Sequence, residues 1–267
     1  MRPFSFGAVY KRFFNLMGEH FPLIFITGLL LIFLPTLGVL YTLVGEFHLP
    51  VTALSDKLGS FEGYGWLYSI AGRIILYLLK ILAISIVIEA MIRRASGKTS
   101  DGGTLIAHAF ANLVPLLFVA ISVFMIIAGG TLLLIVPGII WMLATSVAMP
   151  TYIDRQGLGV SDSISKSFEM TRGHRWVILG IFIVLLLMAI ACGVCIGLPW
   201  GLFRVAITRM GAQTLAGLSV LDIGEAVVHA LTSSLEMLGI VMTAALYLTL
   251  SESKGKAAPE VTAAVFE

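Results

Sequence analysis

Four ionisable residues stand inside stretches otherwise suited to hydrocarbon. Arg73 and Lys80 are seven residues apart and share a helical face with Ser69 and Tyr77; His229, Ser233 and Glu236 also share a face. An ionised side chain at the centre of a membrane helix costs roughly 2.5–3.5 kcal/mol, so each needs a partner. Counted from the outer ends of their segments, Arg73, Lys80 and Glu236 fall at outer-half to middle depth. Their placement predicts a pair between Glu236 and either Arg73 or Lys80. The plain use of such a pair is to hold helix register. With His229, the same residues form a candidate site for an ion, a headgroup or a proton.

A second candidate cluster is Glu89, His108 and Asn112, which fall at one depth nearer the other membrane face. Three polar groups there suit a cation or a headgroup, or satisfy one another and cap helix ends. No histidine has the His-Glu-x-x-His spacing and no acidic cluster surrounds one, so neither a metal nor a cofactor is expected. Cys192 and Cys195 form a Cys-x-x-Cys, but in an apolar setting that disfavours thiolate, so they read as small packing residues. The stripe Ala189, Gly193, Gly197 and Gly201 predicts close approach by another helix, of the same chain in the first instance or else of a second copy. There is no nucleophile elbow and no phosphate-cradling glycine loop, and Asp101-Gly102-Gly103 lacks the further acids of a two-metal site. No catalytic residue is expected.

The elements that must carry these residues follow from composition. The 267 residues are 58% hydrophobic and only 12% charged, with mean hydropathy +1.01. A soluble domain carries about twice that share of charge. A net charge of +2 argues against nucleic acid as a partner. Six stretches reach the roughly 20 apolar residues a membrane span needs: 22–44, 66–92, 105–127, 132–150, 176–198 and 226–250. Ala128-Gly129-Gly130-Thr131 should turn the third into the fourth. Pro35, Pro115 and Pro137-Gly138 should interrupt three spans, and Pro150 should end one. The longest connections are under thirty residues, too short for an independent domain of about 50.

Orientation follows from Lys and Arg. With the N-terminus cytoplasmic, twelve of the 17 fall inside and three (Lys57, Arg204 and Arg209) outside, which predicts both termini in the cytoplasm. Tyr64, Trp66, Trp176 and Trp200 stand at predicted helix ends, as interfacial aromatics do. Two amphipathic helices are expected on the cytoplasmic face. In residues 1–21, Phe6, Val9, Tyr10, Phe13, Met17 and Phe21 form one apolar face, placed in the headgroup region. In 161–172, Ser161 is the expected N-cap, Val160, Ile164 and Phe168 line one side, and Gly173 ends the helix. Arg12, Lys166, Arg172 and Arg175 are then candidate anionic-lipid contacts. One constant offset carries Arg12 onto Lys166, Phe14 onto Phe168, Leu16 onto Met170 and His20 onto His174. That suggests a parallel duplication, an interfacial helix plus a hairpin at each end, with spans three and four inserted.

Residues 132–176 carry a resemblance. Pro137-Gly138-Ile139, Pro150, the turn from Asp154 to Gly159 and the run from Ser167 to Gly173 are similar to the bacterial inner-membrane YciC-like family, also labelled the glycerophosphoryl diester phosphodiesterase membrane domain. The resemblance implies a multi-pass protein of the bacterial inner membrane. It implies no phosphodiesterase activity, because the soluble domain's His-Arg and Glu-Asn motifs and metal-binding acids are missing.

The expected architecture is all-α: a polytopic domain over 22–250, two interfacial helices, and a disordered tail over 251–267. The leading functional reading is a non-enzymatic inner-membrane protein that engages membrane lipids or protein partners in envelope maintenance. A small transporter or channel built on Arg73, Lys80, His229 and Glu236 is the alternative, and an intramembrane lipid-modifying enzyme the third.

Overall fold

Hydrocarbon offers no hydrogen-bond partners, so a chain this apolar closes its backbone bonds within helices. The computed structural model describes residues 4–45, 65–98, 101–155, 158–210, 214–215 and 218–255. It is an all-α polytopic membrane protein. Among the described residues six helices are long and apolar enough to cross a bilayer: Phe21–Val39, Ile70–Ala95, Leu113–Leu133, Ile135–Asp154, Arg175–Ala206 and Gly224–Lys254. Among the described residues the only strands are Thr214–Leu215 and Leu218–Ser219, paired antiparallel.

The first span is α2 (Phe21–Gly28), a π-helical turn (Leu29–Phe33) and α3 (Leu34–Gly45). In that turn the Leu34 N–H donates to the Leu29 carbonyl, and Thr36 Oγ1 donates to the Ile32 carbonyl at 2.6 Å. The wider turn accommodates Pro35, which brings no N–H and crowds the preceding turn. α4 (Gly65–Ala95) is the second span.

The third span differs from expectation. Gly102–Ala111 forms a separate helix, α5; the chain bends at Asn112, and α6 runs Leu113–Leu133. Pro115 falls in the first turn of α6, where a missing N–H costs nothing. The reversal into the fourth span comes not at Ala128–Thr131 but at Leu134, which is extended (φ −166°, ψ 154°) before α7 (Ile135–Thr145). The glycines serve helix contact instead. A Cβ on Gly138 would stand 2.3 Å from Thr131 Oγ1, and one on Gly130 would stand 3.0 Å from Gly138 Cα. Pro137 lies in the first turn of α7 and Pro150 in the first turn of α8 (Ala148–Asp154), so Pro150 opens a helix rather than ending one.

α9 (Val160–Thr171) is capped by Gly159, not Ser161, and Gly173 with φ +89° turns the chain into α10. α10 (Arg175–Met210) continues past 198 with Pro199 inside it. Much of the expected loop 199–225 is therefore helix, and Arg204 is helical and paired with Glu225. The sixth span is α11 (Val220–Ser234) and α12 (Glu236–Gly255), divided at Leu235. Residues 251–255 are thus helical rather than tail. The rest of the expected tail, Lys57 and Tyr64 lie outside the described residues.

The chain forms two compact units: Ile84–Leu185 with both chain ends, and Phe25–Ala83 with Leu186–Met237. The core of the first holds Phe13, Ile88, Met91, Leu116, Ile178, Ile181, Met242 and Leu246. In the second, a Cβ on Gly224 would stand 1.7 Å from the Trp200 ring, so the interfacial tryptophan of the sequence reading packs against protein.

Both amphipathic helices exist but are seated differently than expected. α1 (Phe6–Glu19) is capped by Ser5 and buries Val9, Phe13 and Leu16 against protein, not headgroups. Tyr10 donates to the Ile181 carbonyl at 2.9 Å, while Phe6, Phe14 and Phe21 stay exposed. α9 buries Ser163, Ser167, Met170 and Thr171, a mostly hydroxyl face. Ser167 Oγ donates to the Ala144 carbonyl at 2.7 Å and Thr171 Oγ1 to the Ser167 carbonyl at 2.9 Å. Val160, Ile164 and Phe168 remain half-buried. The offset relating Arg12 to Lys166 also carries buried Val9, Phe13 and Leu16 onto buried Ser163, Ser167 and Met170. The two helices therefore bury equivalent faces.

Candidate functional site

Three polar constellations come from the described residues. Within the second unit, Lys80 stands at the centre of α4 and Glu236 opens α12; Lys80 Nζ lies 2.5 Å from Glu236 Oε2. Just before Glu236, the hydroxyls of Thr232, Ser233 and Ser234 each bond a carbonyl one turn back, at 2.9 Å. Such back-bonding bends helices, and this one breaks at Leu235. Arg73 and His229 are exposed and do not join the pair.

Within the first unit, Glu89 is buried with its side chain 3% exposed. Its Oε1 accepts from Arg93 Nε at 2.8 Å and Nη2 at 2.6 Å, and lies 2.8 Å from His108 Nδ1. Arg93 Nη2 is also 2.8 Å from that Nδ1. One nitrogen cannot both accept and donate a proton, so the tautomer of His108 decides whether it bonds Arg93 or Glu89. Asn112 stays at the α5–α6 junction, outside the cluster. Arg93 was missed as a member, although a Glu and an Arg four apart on a helix are the usual signal. Glu89 Oε2 and Ser85 Oγ, one turn earlier, are buried and have no partner among the described residues.

The third constellation is basic. Of its expected members, Arg12 pairs with Glu252 at 2.6 Å and Lys166 with Glu169 at 2.7 Å. Lys254 joins them, donating to the Glu169 and Arg172 carbonyls. The Lys166 hydrogen bond and charge hold the Glu169 carboxyl below its usual range, with the charges of Lys254 and Arg155 adding to the effect. Arg172 is exposed, and Arg175 Nε is shielded with no partner among the described residues. Between them His174 packs on Phe4, ring centroids 4.6 Å apart; burial pushes its imidazole below the usual value, and Lys254 pushes the same way. Trp176 follows, 85% exposed. The missed members, Lys254 and Arg155, come from distant sequence and give no local signal.

Among the described residues the glycine stripe meets no other helix of the same chain. A Cβ on Gly193, Gly197 or Gly201 would meet nothing within 4 Å, and Ala189 is half-buried. Tyr247, itself buried, donates to exposed Asp154 Oδ2 at 2.5 Å, a tie between α12 and the end of α8 that has no local signal in the sequence. Among the described residues no three His, Cys, Asp or Glu side chains converge as metal ligands do.

No family model matches the chain, and no curated protein or solved structure matches it either.

Proposed function

We propose that this integral membrane protein is non-enzymatic and engages anionic lipid headgroups at the corner between α9 and α10. The observation that carries the reading is the run from Arg172 to Trp176: an exposed guanidinium, a second one with a shielded donor lacking a partner, and an almost fully exposed tryptophan opening a span. Arginine forks match phosphate oxygens, and tryptophan favours the headgroup level where one edge is wet and the other apolar. Gly173 sets the turn that presents these residues, and Lys254 and Arg155 add positive charge beside it. The half-buried Val160, Ile164 and Phe168 of α9 supply an apolar flank. Arg12 and Lys166 already have acidic partners, so they contribute less than the sequence alone suggested.

A cytoplasmic position for this corner agrees with the Lys and Arg bias of the connections. A place in the bacterial inner membrane, a role in envelope maintenance and kinship with the YciC-like family belong to the same proposal; the resemblance across residues 132–176 supports them. Native mass spectrometry of the protein released from phosphatidylglycerol-containing membranes tests the reading. Each basic residue near an anionic surface contributes about 1 kcal/mol. The Arg172→Gln/Arg175→Gln variant is expected to lose retained lipid roughly 30-fold, by about 2 kcal/mol. The Arg12→Gln/Lys166→Gln variant keeps most of it. Equal retention in both variants and the parent rules the corner out.

A further inference from the structure

Lys80 and Glu236 leave most of their hydrogen-bonding capacity unused. Among the described residues each has the other as its sole polar partner, yet their side chains are 36% and 47% exposed. An ammonium has three donors and a carboxylate about four acceptor positions. Lys80 is fifteen residues from either end of α4, which places it ~22 Å along the helix from both. Lipid tails at that depth offer neither donors nor acceptors, so the unused positions face water or a polar ligand.

The neighbouring residues point the same way. With a two-residue adjustment, the offset relating α1 to α9 carries Arg73 onto His229, Tyr77 onto Ser233 and Lys80 onto Glu236. Two polar stripes related by that offset thus meet at Lys80–Glu236. Repeat interfaces near the bilayer midplane are where membrane proteins build small-molecule sites. The second and sixth of six spans cross in the same direction, so both stripes run from the pair toward the membrane face at which α4 begins. Arg73, Tyr77 and His229 along them are exposed.

We propose that these stripes line a hydrated path to Lys80–Glu236, and that the pair binds a small zwitterion, its anionic group on Lys80 and its cationic group on Glu236. The pair is neutral, so a singly charged ligand would leave an uncompensated charge at mid-membrane, whereas a zwitterion leaves none. A free solute and a zwitterionic lipid headgroup share this chemistry.

The test uses the full chain with Cys192→Ala, Cys195→Ala and Ser233→Cys in phosphatidylglycerol vesicles, probed with a charged, membrane-impermeant methanethiosulfonate. The thiol introduced by Ser233→Cys is expected to react. Soluble glycine or glycerophosphorylethanolamine, whose phosphodiester carries a single negative charge, slowing that reaction at least threefold, with acetate and choline leaving it unchanged, identifies a free solute. Slowing only when phosphatidylethanolamine is built into the vesicle identifies a headgroup. Either protection must vanish in Lys80→Met/Glu236→Gln, which keeps the shape without the charges. No reaction at residue 233, reaction that none of these zwitterions slows, or protection that survives the neutral pair overturns the proposal.

Discussion

Glu89 is the buried member of a polar cluster in the first unit. Its two partners come from different elements, Arg93 from its own helix and His108 from α5. Removing one member of a buried pair leaves the other uncompensated, which costs about 3–5 kcal/mol. Arg93→Met should therefore lower stability by about 3 kcal/mol, whereas Arg94→Met, at an exposed position, should change it little; chemical unfolding in detergent measures both. His174 and His20 act through pH. Burial is the main cause holding both imidazoles below their ordinary 6.5, aided by Lys254 at His174 and by Arg94 at His20, with Glu19 opposing it there. The unfolded chain then takes up a proton more readily than the folded one. Stability is full above about pH 6.5 and declines as pH falls toward the folded values. Thermal unfolding between about pH 8 and pH 5 should show that decline, shallower in His174→Gln. Glu89 and His108 were legible as neighbours because each interrupts an apolar run. Arg93 read only as a loop cation, because at a helix end a cation needs no explanation.

Helices carry the larger differences between pattern and packing. Glycine at four-residue spacing marks a close approach only if a second helix is there, and sequence does not say which helix. The stripe at 193, 197 and 201 meets open space, while Gly130 and Gly138, which read as a turn and a kink, let α6 and α7 touch. Gly138→Ala should thus cost about 1–3 kcal/mol, since the new methyl group meets Thr131 backbone, and Gly197→Ala should be nearly neutral. Unfolding midpoints of the two variants in the same detergent separate these outcomes. The same ambiguity hid the seat of α9. Its hydroxyls carry no apolar signal, yet Ser167 and Thr171 turn inward because Ala144, two residues before the α7–α8 break, offers its carbonyl to them. In α1 the apolar face was legible and its burial was not, since headgroups and protein core reward the same pattern.

At the scale of the whole molecule, charge placement makes a prediction of its own. A reporter active only in the cytoplasm, fused after residue 267 and separately within 46–64, should work at the first position and fail at the second. The reverse result would invert the orientation. The all-α class, the membrane setting and the number of spans followed from sequence alone. Twenty apolar residues in a row have one stable disposition in lipid, because every backbone group must bond within its own helix. The breaks at Asn112, Leu134 and Leu235, the seats of α1 and α9, and the choice of Lys80 as the partner of Glu236 were decided only by tertiary structure. Each depends on what stands across from a residue. Helical periodicity reports which residues share a face, and is silent on which face of which neighbour they meet.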